Sequence, residues 1–137
     1  MSVLIKKFET DEFDSEFNRT VHREYIIEAV PYDEDEKVVS SIEIKKKTYY
    51  LWPQWGNHYT DYIVLEMDSS GRIEIHRYTV GENKITYLAY LKLDDFAETP
   101  GFLWREEVES INNVEDLKRY LEYMRDWLKD FIDTLNL

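Results

Sequence analysis

The chain of 137 residues carries 29 acidic and 17 basic side chains, a formal net charge of −12, with 43% apolar and 15% aromatic residues. That is too apolar for a disordered chain, and the length suits a single domain, 1–137, around one core. The charge repels nucleic-acid phosphates and anionic lipid, while the lack of any cysteine excludes disulfides, thiolate metal sites and cysteine nucleophiles, and favours the cytoplasm over secretion.

The acidity is uneven. Residues 1–36 hold eleven carboxylates and four cations, −7, against −3 for residues 37–111 and −2 for residues 112–137. Such a field attracts basic protein surfaces or metal cations. No run approaches the ~18 apolar residues of a membrane span, and Met1–Phe8 is too short for a secretory h-region. Few glycines with abundant Glu, Lys and Tyr fit a thermophilic source.

Residues 1–16 are expected to form an acidic arm, with ETDEFDSE (9–16) mobile or folded into one short helical turn. From Asn18 the pattern alternates. Asn18, Thr20, His22, Glu24 and Glu28 share one parity, and Val21, Tyr25, Ile27 and Ala29 share the other, which predicts a strand. Pro31 ends it, since proline cannot donate to a ladder. Tyr32–Glu36 is then a charged loop, and Lys37–Leu51 the returning strand. WPQWGNH (52–58) is a loop broken by Pro53 and Gly56. Three further strands follow, Tyr59–Met67, Arg72–Val80 and Lys84–Leu93, joined by the short glycine-containing turns of antiparallel hairpins. Asp94–Gly101 is a longer loop, and Phe102–Val108 is expected as a sixth strand or an irregular edge.

The last segment carries the clearest pattern. Asn113 is a good N-cap, with Glu115 and Asp116 in the first turn where they favour the helix dipole. Val114, Leu117, Leu121, Met124, Leu128, Phe131 and Leu135 recur at steps of three and four, predicting an amphipathic helix over 113–135. Its apolar face either covers its own sheet or seats a second copy in a helix-mediated homodimer. The fold class expected is α+β: a curved, mostly antiparallel meander of five or six strands over 18–108, covered by one long C-terminal helix. Pleckstrin-homology barrels are similar in layout, including a tryptophan in the final helix, here Trp127. That likeness concerns the order of elements and implies no activity.

Four groups of residues are chemically suggestive. Glu43 and Lys45 put a carboxylate and an ammonium on one face of a strand. With Asp33 or Asp35 upstream they locally resemble nucleases of the PD-(D/E)xK class, a resemblance that implies Mg²⁺ or Mn²⁺ and phosphodiester cleavage. Against it stand the acidic field, the hairpins where that class places a helix, and the ordinary use of Glu-x-Lys as a solvated strand face. Residues 49–62 gather Tyr49, Tyr50, Trp52, Trp55, Tyr59 and Tyr62 around a proline–glycine loop, either as an exposed partner-binding patch or as a plug for one end of the sheet. The histidines His22, His58 and His76 show no metal or catalytic spacing, so a zinc site needs them to converge from separate strands, and solvent exposure is the expected fate of His22 and His76. Asp33, Glu34, Asp35 and Glu36 make no complete EF-hand loop, and such a tip is normally solvated.

The function expected is a non-enzymatic acidic interaction or regulatory protein without cofactor. It binds a basic protein surface through Asp33, Glu34, Asp35, Glu36, Trp52, Trp55 and Tyr59, and a sharper version is an inhibitor that mimics nucleic-acid charge. The alternatives are the metal-dependent phosphodiesterase using Glu43 and Lys45 and a small-ligand-binding β-cup with a tyrosine-lined pocket.

Overall fold

The computed structural model describes residues 3–15, 18–32, 37–49, 59–81, 84–93 and 99–135. Six strands form one antiparallel sheet in sequence order: β1 (Leu4–Asp14), β2 (Arg19–Pro31), β3 (Val39–Tyr49), β4 (Tyr59–Met67), β5 (Ile73–Val80) and β6 (Ile85–Leu93). The helices α1 (Arg105–Glu109) and α2 (Val114–Leu135) follow. The fold is α+β, as the alternation and the terminal helix predict, and β1 and β6 are its two edges. Among the described residues no helix is long and apolar enough to cross a membrane.

Strand parity decides which side each residue serves, because successive side chains point to opposite faces. Val21, Tyr25, Ile27 and Ala29 of β2 are buried, and the register sets Ile27 against Ile44 and Ala29 against Ile42, then Ile42 against Leu65. These join Ile73 and Leu93 in one apolar cluster with Val114, Leu117, Tyr120, Met124 and Leu128 of α2. Val114, Leu117, Tyr120, Met124 and Leu128 of α2 thus pack on the inner face of its own sheet. Asn113 caps the helix as expected, its Oδ1 accepting from the Asp116 amide at 2.8 Å, while Asp116 Oδ2 accepts from the Asn112 amide at 3.1 Å. The Tyr120 hydroxyl donates to the Phe102 carbonyl at 2.5 Å inside the core, and burial pushes its ionisation well above the usual phenol range. The β4–β5 turn is held by Asp68 Oδ1, which accepts from the amides of Ser70 and Arg72, and Gly71 supplies the left-handed φ of 84°.

Two expectations are corrected. The supposed arm is β1, paired with β2 along its whole length from Leu4 opposite Ala29 to Asp14 opposite Arg19. Its polar residues hid the strand, because Glu12 and Asp14 point inward and are satisfied there by Arg23 rather than by water. The segment 102–108 is not a sixth strand. Gly101–Leu103 form a 3-10 turn that buries Phe102 and Leu103, and Arg105–Glu109 form α1. A single bridge from Trp104 to Val38 and the Arg105 amide donating to the Lys37 carbonyl at 2.6 Å tie this segment to the start of β3.

Candidate functional site

The outer face of β1–β3, away from α2, gathers a concentrated titratable group. The antiparallel register places Glu9 directly opposite Glu24, and Asp11 directly opposite His22. On the far side of β2, Lys47 faces Glu24 and Tyr49 faces His22. His22 Nδ1 lies 3.0 Å from Asp11 Oδ1, and its Nε2 lies 3.8 Å from Glu9 Oε2. An ionised carboxylate only accepts, so this bond puts the proton of a neutral imidazole on Nδ1. Glu24 is nearly buried, and Tyr49 is its hydrogen-bond partner; burial first, then the Glu24 charge, pushes the Tyr49 phenol upward. Among the described residues Glu9, His22 and Glu24 each offer one donor atom within 4.8 Å of the others'.

A second charged cluster occupies the inner face beyond the reach of the apolar core. Arg23 donates to Glu12 Oε2 and Asp14 Oδ2, both at 2.6 Å, and Tyr25 donates to Glu12 at 2.9 Å. Burial opposes the Arg23 charge, but hydrogen bonds to Glu12 and Tyr59 and the attraction of Glu12 outweigh it, and the guanidinium is held above its usual range. Burial likewise raises Glu12, yet hydrogen bonds from Arg23 and Tyr25 win and its carboxyl titrates below the usual value. Nearby, Thr79 donates to Asp61 at 2.6 Å and Lys46 lies 3.6 Å from the same carboxylate. The Arg23 guanidinium donates to Thr48, Glu12 and Asp14, all protein acceptors, the signature of a structural network rather than a substrate clamp.

Of the residues singled out by sequence, Asp33, Glu34, Asp35, Glu36, Trp52, Trp55 and His58 lie outside the described residues. Tyr59 opens β4 opposite Thr48, half-buried on the inner face beside Arg23. Glu43 and Lys45 do share the outer face, and they neutralise each other at 3.5 Å. His76 sits on β5, half-exposed, 3.6 Å from Glu74 and 4.9 Å from the Tyr90 ring. His22 and His76 therefore stand three strands apart, about 14 Å at the normal inter-strand spacing, and do not converge. His22 itself is largely buried among carboxylates instead of being solvated.

Tyr62, Tyr78 and Tyr87 form a row across β4–β6 on the same outer face, with centroid separations of 4.8 and 5.4 Å. The first pair is stacked 12° from parallel, so these rings turn flat faces to each other. Core side chains of the sheet and α2 pack against each other, and two depressions among the described residues are surface clefts. One of about 300 Å³ lies along Glu107, Asp116 and Tyr123, and one of about 390 Å³ along Ser41, Glu66 and Arg72.

No family model, curated protein or solved structure matches the chain.

The sequence reading missed the Glu9–Asp11–His22–Glu24 group. Its signal was present as two i, i+2 pairs of equal parity. Bringing the pairs together required recognising residues 4–14 as the partner strand of β2.

Proposed function

We propose that the protein is a non-enzymatic interaction module that binds a basic protein surface. The observation that carries this reading is the outer face of the edge strand β1. There Asp11, 74% exposed, and the exposed Glu9 stand between two exposed apolar side chains, Ile5 at 62% and Phe13 at 65%. Ile5 and Phe13 are eight residues apart, about 27 Å along a strand. Carboxylates steer a basic partner and set its orientation, while desolvated apolar anchors hold it. An edge strand also leaves one row of backbone donors and acceptors unpaired by its own sheet, available to an added strand. The wider acidity of residues 1–36, including Asp33–Glu36, adds long-range attraction whatever the detailed contacts. Inhibition by mimicry of nucleic-acid charge is the sharper form of the same reading.

The test is kinetic. With the basic partner in hand, the quadruple reversal of Asp33, Glu34, Asp35 and Glu36 to lysine is expected to slow association and flatten its salt dependence, because steering charges act mainly on the on-rate. Unchanged kinetics would remove the electrostatic half of the proposal.

A further inference from the structure

The facing of Glu9 and Glu24 across β1 and β2 is an arrangement that proteins avoid, since like charges directly opposite in a ladder destabilise it. Here Asp11 lies directly opposite His22, one same-face pair further along, so three carboxylates surround the imidazole. Lys47, opposite Glu24, is the one cation that the register sets directly against this group. The histidine is oriented in a particular way. Asp11 accepts from Nδ1, and this leaves the Nε2 lone pair of the neutral ring turned toward Glu9. A carboxylate behind an imidazole, fixing its tautomer and raising its basicity, is the outer shell that metal-binding histidines use. Tyr49 performs a similar service for Glu24, whose near-complete burial restricts its motion.

We infer that Glu9, His22 and Glu24 form a site for one divalent transition-metal ion. One imidazole nitrogen and two carboxylates make a borderline donor set, which suits Zn²⁺ best and Mn²⁺ more weakly, and does not suit Mg²⁺, which prefers oxygen ligands and its own water. The three donor atoms lie within 4.8 Å of one another. Tetrahedral coordination with bonds of about 2.0–2.2 Å needs separations of about 3.4 Å, so the most distant pair must draw in by up to about 1.4 Å. Glu9 has the freedom to do this, being exposed on the edge strand, while His22 and Glu24 are anchored. Three protein ligands leave a fourth position for water. The inference does not rest on the partner reading, and the ion is tested without any partner.

The experiment is calorimetric titration of the metal-stripped protein with ZnCl₂, MnCl₂ and MgCl₂. One equivalent of Zn²⁺ is expected to bind more tightly than Mn²⁺, with no stoichiometric Mg²⁺ uptake. Glu24→Gln is expected to weaken Zn²⁺ at least about tenfold, and Asp11→Ala, which removes the outer-shell acceptor, by about tenfold as well. Glu122→Gln, on the exposed side of α2, leaves binding unchanged. If Glu24→Gln does not fold, the wild type answers alone: substoichiometric Mn²⁺ is expected to broaden the amide resonances of Glu9, His22 and Glu24 first. No stoichiometric Zn²⁺ uptake, an affinity untouched by Glu24→Gln, or Mn²⁺ broadening spread evenly over the acidic surface would each overturn the site.

Discussion

Replacing Arg23 with methionine removes the charge at the centre of the inner cluster while keeping most of its volume. Arg23 is the donor to both Glu12 and Asp14, whose side chains are 22% and 8% exposed. Breaking a buried pair from one side costs about 3–5 kcal/mol, because the partner charge is left uncompensated, and the solvent that still reaches Glu12 puts this case near the lower end, about 3 kcal/mol. For a domain of this size that is a fall of roughly 10 °C in Tm at neutral pH. The pH dependence identifies the cause. In the wild type, hydrogen bonds and the Arg23 charge overcome burial and hold Glu12 below its ordinary range. Its contribution is therefore present above the unfolded-state value and lost as pH falls through the folded one. In Arg23→Met, burial pushes the Glu12 carboxyl up, so folding takes up protons and the variant gains stability as pH falls toward about 4.5. Urea denaturation of both proteins at the two pH values is expected to show the deficit shrinking by more than half in acid. A deficit equal at both values would mean that Arg23 acts through packing, and a loss below about 1 kcal/mol would mean that the cluster is no more than a surface ion pair.

Tyr120→Phe leaves the buried Phe102 carbonyl without its donor and is expected to cost about 1–3 kcal/mol, read as a lower urea midpoint at unchanged slope. An unshifted midpoint would mean that water replaces the hydroxyl. Asn113→Ala removes the acceptor of the Asp116 amide and is expected to cost about 1 kcal/mol, with faster amide exchange confined to the first turn of α2.

Most of the fold was legible because its core strands obey simple parity. β2 buries Val21, Tyr25, Ile27 and Ala29 at alternate positions, and α2 repeats its apolar residues at three and four. Asn113 announced the helix start for the same reason, since the side-chain chemistry of a cap is local. β1 was illegible because the inward residues of its second half include Glu12 and Asp14, whose burial depends on an arginine nine to eleven positions later in the chain. Phe102 and Leu103 suggested a strand by composition, but their burial comes from a 3-10 turn under α2, and a run that short gives no period to read. The outer-face cluster was hidden for a related reason. Neither Glu9 and Asp11 nor His22 and Glu24 form a motif, and they become a group only through the β1–β2 register. Glu43 and Lys45, by contrast, were placed correctly on one face, where they pair with each other.

The most direct test of the partner reading is a parallel pull-down from source lysate with the tagged wild type and an Ile5→Ser/Phe13→Ser variant, at low and high salt, read by mass spectrometry. Both substitutions fall on exposed side chains outside the core, so the fold is retained, and neither residue is one of those assigned to the metal ion. The account predicts a stoichiometric basic protein on the wild type at low salt, released at high salt and depleted from the variant. Equal capture by both proteins, or a wild-type column that retains no basic protein at low salt, would contradict it.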